Sequence, residues 1–192
     1  VGTLEKTIKK SFFLDDIAVY QEKIRLPEDP KQLKKIDTKI YPKCSDAMKL
    51  LLVLARITLK STRAEEKGYW AKLASDNIRN HGDYTLYPLR LELLQICLQQ
   101  PHREVRECEV HLDYAHVLTL FDQFHDQKEV LFTHLRLAYT QAQEQGHTMI
   151  YLDAICLYAG LLSQKGILQK EEYQELDLRL EELYDQYTDI ES

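Results

Sequence analysis

The amino-acid sequence predicts an all-α fold of eight or nine antiparallel helices. Apolar residues recur at helical spacing along most of the 192 residues, and no segment alternates with the two-residue period of a strand. Only six glycines and five prolines interrupt the chain, and both residue types disfavour helix interiors. In addition, three stretches that begin at Trp70, Tyr114 and Tyr158 share one pattern at a constant interval of 44 residues. Such a fixed interval is typical of stacked helical repeats.

The first 60 residues are predicted to form helices that pack on the repeats or extend them. Apolar residues at helical spacing indicate a helix over 3–26, which ends before two prolines because a proline disfavours helix in the residue before it. A short helix over 31–40 follows. Ser45 is the expected N-cap of a helix over 46–60, and this helix is apolar on nearly every side. We therefore expect it to be buried.

Residues 61–192 are predicted to form three helix pairs joined by short turns. Glycines are the main stop signals, because glycine adopts the left-handed conformation that ends many helices. The clearest of them are Gly146 and Gly166, with Gly82 as a third. The predicted pairs are 63–80 with 84–100, 103–124 with 127–145, and 148–165 with 169–187.

The first helix of each pair carries an aromatic residue followed by alanine. The three stretches are Trp70-Ala71-Lys72-Leu73-Ala74, Tyr114-Ala115-His116-Val117-Leu118 and Tyr158-Ala159-Gly160-Leu161-Leu162. A small alanine lets a neighbouring helix approach closely, and the adjacent aromatic ring fills the space beside it. The pattern therefore predicts a helix crossing at the same place in each pair.

The third stretch resembles the first helix of a tetratricopeptide repeat. The family's large, large, small, aromatic-or-large and turn-glycine positions are matched by Ile155, Tyr158, Ala159, Leu162 and Gly166. The second stretch matches only in part, since an aspartate replaces the turn glycine, and the first keeps only Trp70, Ala71 and Ala74. The usual period of the family is about 34 residues, so the longer interval here is closer to HEAT repeats or to the repeats of some bacterial peptide-sensing regulators.

The resemblance implies an α-solenoid in which the first helices of the pairs line a concave groove. The residues expected on the open face of that groove are Glu65, Lys72, Asp76, Glu109, Leu112, His116, Asp153 and Gln164. They are mostly polar and carry both signs of charge, which suits recognition of an extended or helical peptide. A solvated face without a ligand is the alternative interpretation.

The expected function is therefore binding of a protein or peptide, without catalysis. One form of this hypothesis is the regulatory or sensor domain of a larger protein, such as a transcription regulator. The helix over 3–26 would then lead to a DNA-binding domain before Val1, and the missing initial methionine suggests a fragment. The alternative is a structural scaffold or self-associating subunit of a multiprotein assembly. Self-association through residues 1–60 would fit the strongly apolar helix over 46–60.

Charge and hydropathy argue against nucleic acid and membrane as partners. Residues 1–60 carry a net charge of +5 and residues 61–192 a net charge of −11, so the acidic body argues against nucleic-acid binding. The longest apolar run, over 50–55, is far shorter than the roughly 18 residues that span a bilayer. We expect no membrane contact and a cytoplasmic protein.

No cofactor, metal site or catalytic motif is expected. The four cysteines lack the close spacing of zinc ligands, which indicates free thiols in a reducing compartment. Glu107, Cys108 and His111 share a helix face, but no second ligand pair accompanies them. Glu144 and His147 match the Glu-x-x-His pattern of di-iron bundles, but the intervening glycine places them at a helix end. Phosphate-binding loops and hydrolase motifs are absent from the sequence.

Overall fold

A computed structural model describes residues 26–44, 46–81, 84–120, 127–165, 173–174 and 176–182. All secondary structure within these ranges is helical, which confirms the predicted all-α class. Except for Leu26, which is not helical, the predicted helix over 3–26 lies outside the described residues. So does most of the last predicted helix, of which 173–174 and 176–182 are helical. Among the helices that are described, none is long and apolar enough to cross a membrane.

The helices follow the predicted order. They are α1 (Pro30–Lys35), α2 (Asp46–Thr58), α3 (Ala64–His81), α4 (Tyr87–Gln99), α5 (Glu107–Thr119), α6 (Lys128–Glu144) and α7 (Thr148–Lys165). The chain of α1 continues into a π-helical turn over Ile36–Ile40 and a 3-10 turn over Tyr41–Lys43. The largest difference from prediction is α5, which spans Glu107–Thr119 instead of 103–124. The residues after Pro101 form a turn instead, in which the Val105 N–H donates to the His102 carbonyl at 2.8 Å.

Local signals account for several helix ends. The Asp29 side chain accepts a hydrogen bond from the Lys31 N–H at 3.1 Å and so caps the start of α1. At the end of α6, Gly146 has a φ of 72°, as the sequence predicted. The His147 N–H donates to the Ala142 carbonyl at 2.8 Å, and the Gly146 N–H donates to the Gln143 carbonyl at 3.2 Å. These two bonds form a Schellman motif, which satisfies carbonyls left without partners at the helix end.

Helices that are adjacent in the chain pack against each other from α2 to α7, and α7 also contacts α5. One continuous apolar core runs through these interfaces. The buried apolar side chains of α2 are part of it: Leu50, Leu51, Val53, Leu54 and Ile57. The predicted burial of this helix is therefore confirmed. Helical bundles and solenoids both show such sequential packing, so the tetratricopeptide-like solenoid stays a prediction.

The three aromatic-alanine stretches contact the preceding helix in the chain, and the predicted crossing within each helix pair stays a prediction. Ala71 and Ala115 are fully buried, whereas Ala159 is half-buried. Each aromatic side chain also contacts a polar side chain of the preceding helix. The Arg56 guanidinium lies 5.3 Å from the centroid of the Trp70 ring. Gln95 donates a hydrogen bond to the Tyr114 hydroxyl at 2.9 Å, and Arg136 donates one to the Tyr158 hydroxyl at 3.3 Å. Each stretch therefore joins its helix to the one before it in the chain.

Candidate functional site

Six charged side chains from three helices meet where α3, α4 and α5 pack together. We call them the charge cluster: Lys72, Asp76 and Arg79 of α3, Arg90 of α4, and Glu109 and Asp113 of α5. Helical spacing explains the grouping, because residues three or four positions apart lie on the same helix face. The three cations and three carboxylates balance one another, so the cluster as a whole is neutral.

The Lys72 ammonium is the centre of the charge cluster. It donates to Asp76 Oδ1 at 2.7 Å, to Glu109 Oε1 at 2.9 Å and to Asp113 Oδ2 at 3.3 Å. Burial by itself would lower the pKa of Lys72, but the charge of Asp113 and the hydrogen bonds to Asp76 and Glu109 outweigh it, so this pKa is raised. Lys72 is therefore a protonated and fully paired cation, although the residue is only 7% exposed.

Asp113 connects the other two cations to the cluster. Its Oδ1 lies 3.1 Å from Arg79 Nη1 and 3.0 Å from Arg90 Nη2. Both Asp113 and Arg90 are buried, at 5% and 3% exposure. Arg90 also donates through Nε to the hydroxyl of the buried Ser75 at 3.1 Å, and its guanidinium lies 5.5 Å from the Tyr87 ring. These contacts tie α3, α4 and α5 together through ion pairs as well as apolar packing.

A cavity of about 240 Å³ opens beside the charge cluster. It lies between α3, α5 and the turn over 101–106. The lining residues are Tyr69, Lys72, Leu73, Asp76, Glu104, Val105, Arg106 and Glu109. The lining thus combines apolar side chains with charged groups of both signs, among them the outer carboxylates of the cluster. The Tyr69 ring also contacts the His102 ring, with centroids 5.2 Å apart, so the turn is held against α3.

The structure brings together three of the eight residues predicted to face a groove. Lys72 donates hydrogen bonds to both Asp76 and Glu109, and all three residues line the cavity. Glu65 is exposed in the first turn of α3, nearly two helical turns before Lys72. Whether any of these side chains contacts a ligand stays a prediction.

The other predicted groove residues do not line the cavity. His116 is exposed on α5 and Asp153 is exposed on α7, but His116 lies close enough to Asp113 and Asp153 for both charges to act on it, and burial nevertheless lowers its pKa. Gln164 belongs to α7, and its side chain is not among those described. Leu112 is only 7% exposed and belongs to the apolar core. The prediction that Leu112 lies on the open face of a groove is therefore wrong. Its position in the core is favourable because it removes the apolar side chain from water.

Sequence reasoning did not single out Asp113, Arg79 or Arg90. Two of these residues carried a usable signal. Arg90 is a cation within the otherwise apolar start of α4, and Asp113 stands between the buried Leu112 and Tyr114. Charged residues are rarely buried unless they are paired, so a charge in such a position predicts a partner of opposite sign.

A second group of titratable side chains lies between α5 and α6. His111 Nδ1 and His134 Nδ1 are 2.7 Å apart, so one ring donates to the other. The His134 ring also packs on the Tyr114 ring, with centroids 4.2 Å apart, and His111 Nε2 lies 3.6 Å from a Glu107 carboxylate oxygen. Burial lowers the pKa of His111, and burial together with His111 lowers the pKa of His134 to about 4. Both rings are therefore neutral at pH 7.

The acidic part of the charge cluster resembles a metal site in composition. Within the described residues, Asp76, Glu109 and Asp113 are the group of three potential ligands whose oxygens lie within 4.8 Å of one another. The Lys72 ammonium contacts all three carboxylates. The position that a metal ion would occupy thus already holds a cation.

Comparison with known proteins found no match to this chain among protein-family models, curated proteins or solved structures. The resemblance to tetratricopeptide repeats accordingly stays a prediction from residue patterns.

Proposed function

We propose that this protein is a non-enzymatic module that binds a peptide or another protein at the cavity between α3, α5 and the turn over 101–106. The observation that carries the proposal is the lining of the cavity, which combines apolar side chains with several charged groups. Ligand sites commonly combine these two features. The volume of about 240 Å³ is smaller than the range of roughly 300–1,000 Å³ for drug-sized ligands. It therefore suits one side chain of a polypeptide better than a whole cofactor.

The state of Lys72 supports binding over catalysis. A lysine acts as a base or nucleophile when it loses its proton near neutral pH, which requires a lowered pKa. The carboxylates around Lys72 raise its pKa instead. Its ammonium is also bonded to three carboxylates at once. The group thus serves to position the acidic side chains of Asp76 and Glu109 at the cavity wall.

The specific form of this proposal is a helical-repeat module with a regulatory or sensor role in a larger protein. In that role, a change caused by peptide binding at the cavity would be transmitted to a neighbouring domain. The scaffold alternative has less support, because the apolar side chains of α2, which suggested self-association, are buried in the core of the chain itself. Self-association of the purified protein would be visible in light scattering, and a monodisperse monomer would count against the scaffold alternative.

Selection of a library of displayed peptides on the purified, immobilised protein tests the proposal. Leu73→Trp should fill the cavity, because Leu73 is half-buried in its wall. Leu137→Trp is the matched control, since Leu137 is exposed on α6 and does not line the cavity. We expect peptides to be enriched on the wild-type protein and on Leu137→Trp but not on Leu73→Trp, with all three proteins equally helical by circular dichroism. Enrichment that is absent, or equal on Leu73→Trp, would contradict the proposal.

A further inference from the structure

We infer that His102 is a proton-sensitive switch, which holds the turn over 101–106 against α3 at neutral pH and releases it on acidification. This inference rests on the proposed function, because the turn forms part of the cavity wall and its release would weaken peptide binding. Glu104, Val105 and Arg106 of the turn line the cavity, whereas His102 does not. His102 therefore acts through the turn and not by touching a ligand.

Two contacts of the imidazole connect the turn to α3. Nδ1 of His102 accepts a hydrogen bond from the Glu104 N–H at 3.1 Å. The ring itself lies beside the Tyr69 ring of α3, with centroids 5.2 Å apart. The half-buried side chain of His102 thus joins the backbone of the turn to an aromatic ring that lines the cavity.

The hydrogen bond from the Glu104 N–H fixes the protonation state of His102. A backbone N–H can only donate, so Nδ1 presents a lone pair and the neutral ring carries its proton on Nε2. In a protonated imidazole both ring nitrogens are donors. Two N–H groups would then face each other, and the bond to Glu104 would be lost. Histidine is the side chain that ordinarily changes its charge between pH 5 and 8, so mild acid suffices to test this step.

Tyr69 is the titratable group that faces His102 from α3. Burial, and then the charge of Glu104, raise the pKa of Tyr69, so its phenol stays neutral as the pH falls. An aromatic ring attracts a nearby cation, so Tyr69 does not oppose protonation of the imidazole. Within the described part of the chain, His102 forms no ion pair that would be broken or made stronger by the proton.

Neighbouring charges do not restore the lost bond. The turn carries Arg103 and Arg106 as cations and Glu104 as its carboxylate, and all three are exposed. The last turn of α4 has no basic residue, and the first turn of α5 adds two carboxylates, Glu107 and Glu109. Even if one of these carboxylates paired with the protonated ring, the Glu104 N–H would still lose its acceptor. The backbone bond therefore responds to the proton whatever the ring pairs with.

The size of the effect follows from one hydrogen bond. A net hydrogen bond shifts an equilibrium constant by roughly 2- to 10-fold, and the bond between Glu104 and His102 is exposed, which favours the lower end. Val105 is half-buried in the cavity wall, and its N–H donates to the His102 carbonyl, so the wall moves with the turn. We expect the equilibrium constant for the turn held against α3 to fall about threefold between pH 7.5 and pH 5.

Hydrogen exchange of the Glu104 amide, measured by NMR on the isotope-labelled protein, reports the switch without any peptide. Its protection relative to an unfolded chain should fall about threefold from pH 7.5 to pH 5 in the wild type. His102→Asn should keep the protection at both pH values, because an asparagine side chain accepts from the N–H two residues on and does not titrate. His102→Ala should lack the protection at both pH values.

His147→Asn is the matched control, since His147 precedes α7 and does not line the cavity. It should show the wild-type dependence of the Glu104 amide on pH. Protection that is unchanged between pH 7.5 and pH 5 in the wild type would overturn the inference. So would an equal loss in His102→Asn, or full protection in His102→Ala at pH 7.5.

Peptide binding separates the failure of the switch from the failure of the proposed function. Peptides enriched from the displayed library at pH 7.5 are the probe, and their affinities for the wild type and for His102→Asn are compared at both pH values. At pH 5 the wild type should bind about threefold more weakly than His102→Asn. Equal affinities would refute the switch and leave peptide binding at the cavity standing. If no peptide is enriched, the proposed function falls, and with it the effect of the turn on binding.

Discussion

Two glycine-to-alanine substitutions are expected to change stability in opposite directions. Gly68 lies in α3, where its carbonyl accepts a hydrogen bond from the Cys97 thiol of α4 at 3.3 Å. A Cβ atom at position 68 would overlap the backbone carbonyl of Gln100, at the end of α4. Gly160 also lies within a helix, α7, but a Cβ there would meet nothing within 4 Å. The same chemical change therefore meets backbone at one position and open space at the other.

The magnitude follows from two terms. Alanine is better than glycine inside a helix by about 0.8–1 kcal/mol, and both substitutions gain this amount. Overpacking costs about 1–3 kcal/mol, and the upper end applies to Gly68 because the overlapping atoms are backbone and cannot rotate away. We therefore expect Gly160→Ala to stabilise the protein by about 1 kcal/mol and Gly68→Ala to destabilise it by about 2 kcal/mol. The difference of about 3 kcal/mol is the cost of the overlap alone.

Thermal unfolding followed by circular dichroism at the helix band measures this difference. For a chain of this size, 1 kcal/mol corresponds to about 2–4 °C in Tm, so the two variants should differ by about 6–12 °C. Urea unfolding gives the free energies independently, provided that both variants keep the wild-type dependence on urea. If Gly68→Ala is as stable as Gly160→Ala, then α3 and α4 do not approach as closely as the structure shows.

Three further predictions concern charge, pH and thiol reactivity. Asp113→Asn should lower the free energy of unfolding by about 3–5 kcal/mol, because it leaves Lys72 and Arg90 with one carboxylate too few. Glu129→Gln is the control and should change this free energy by no more than about 0.5 kcal/mol. Equal free energies for the two variants in urea unfolding would contradict a buried ion network. The pKa of His134 is lowered to about 4 in the folded protein, so the unfolded chain takes up the proton first and stability should fall as the pH drops from 6.5 to 4. His134→Gln should flatten that dependence in unfolding midpoints measured across this range, and an unchanged slope would refute the role of the histidine pair. Cys156 is exposed and should react with a thiol reagent first. Cys97 should react only on unfolding, because Cys97 is 3% exposed and burial raises its pKa to about 12. Mass spectrometry of the partly labelled protein identifies the order in which the thiols react.

Helix positions were largely predictable because their signals are local. Apolar spacing, prolines and glycines within a few residues of each helix end indicate where it begins and stops. The stop at Gly146 needs only the left-handed conformation that glycine permits, and the structure has it. The start of α5 was missed by four residues, since the turn after Pro101 depends on a hydrogen bond between His102 and Val105 that no residue pattern specifies.

The sequence by itself therefore determined the helical class, the approximate helix boundaries and the burial of α2. Only the tertiary structure decided which faces of α3, α4 and α5 meet. Lys72 and Asp113 are 41 residues apart in the chain, and Arg79 and Asp113 are 34 apart, yet each pair is in contact. Contacts over such separations depend on the rotation of each packed helix about its axis, which a local pattern leaves open. For that reason Leu112 was expected at the surface and lies in the core, while its neighbour Asp113 connects the charge cluster.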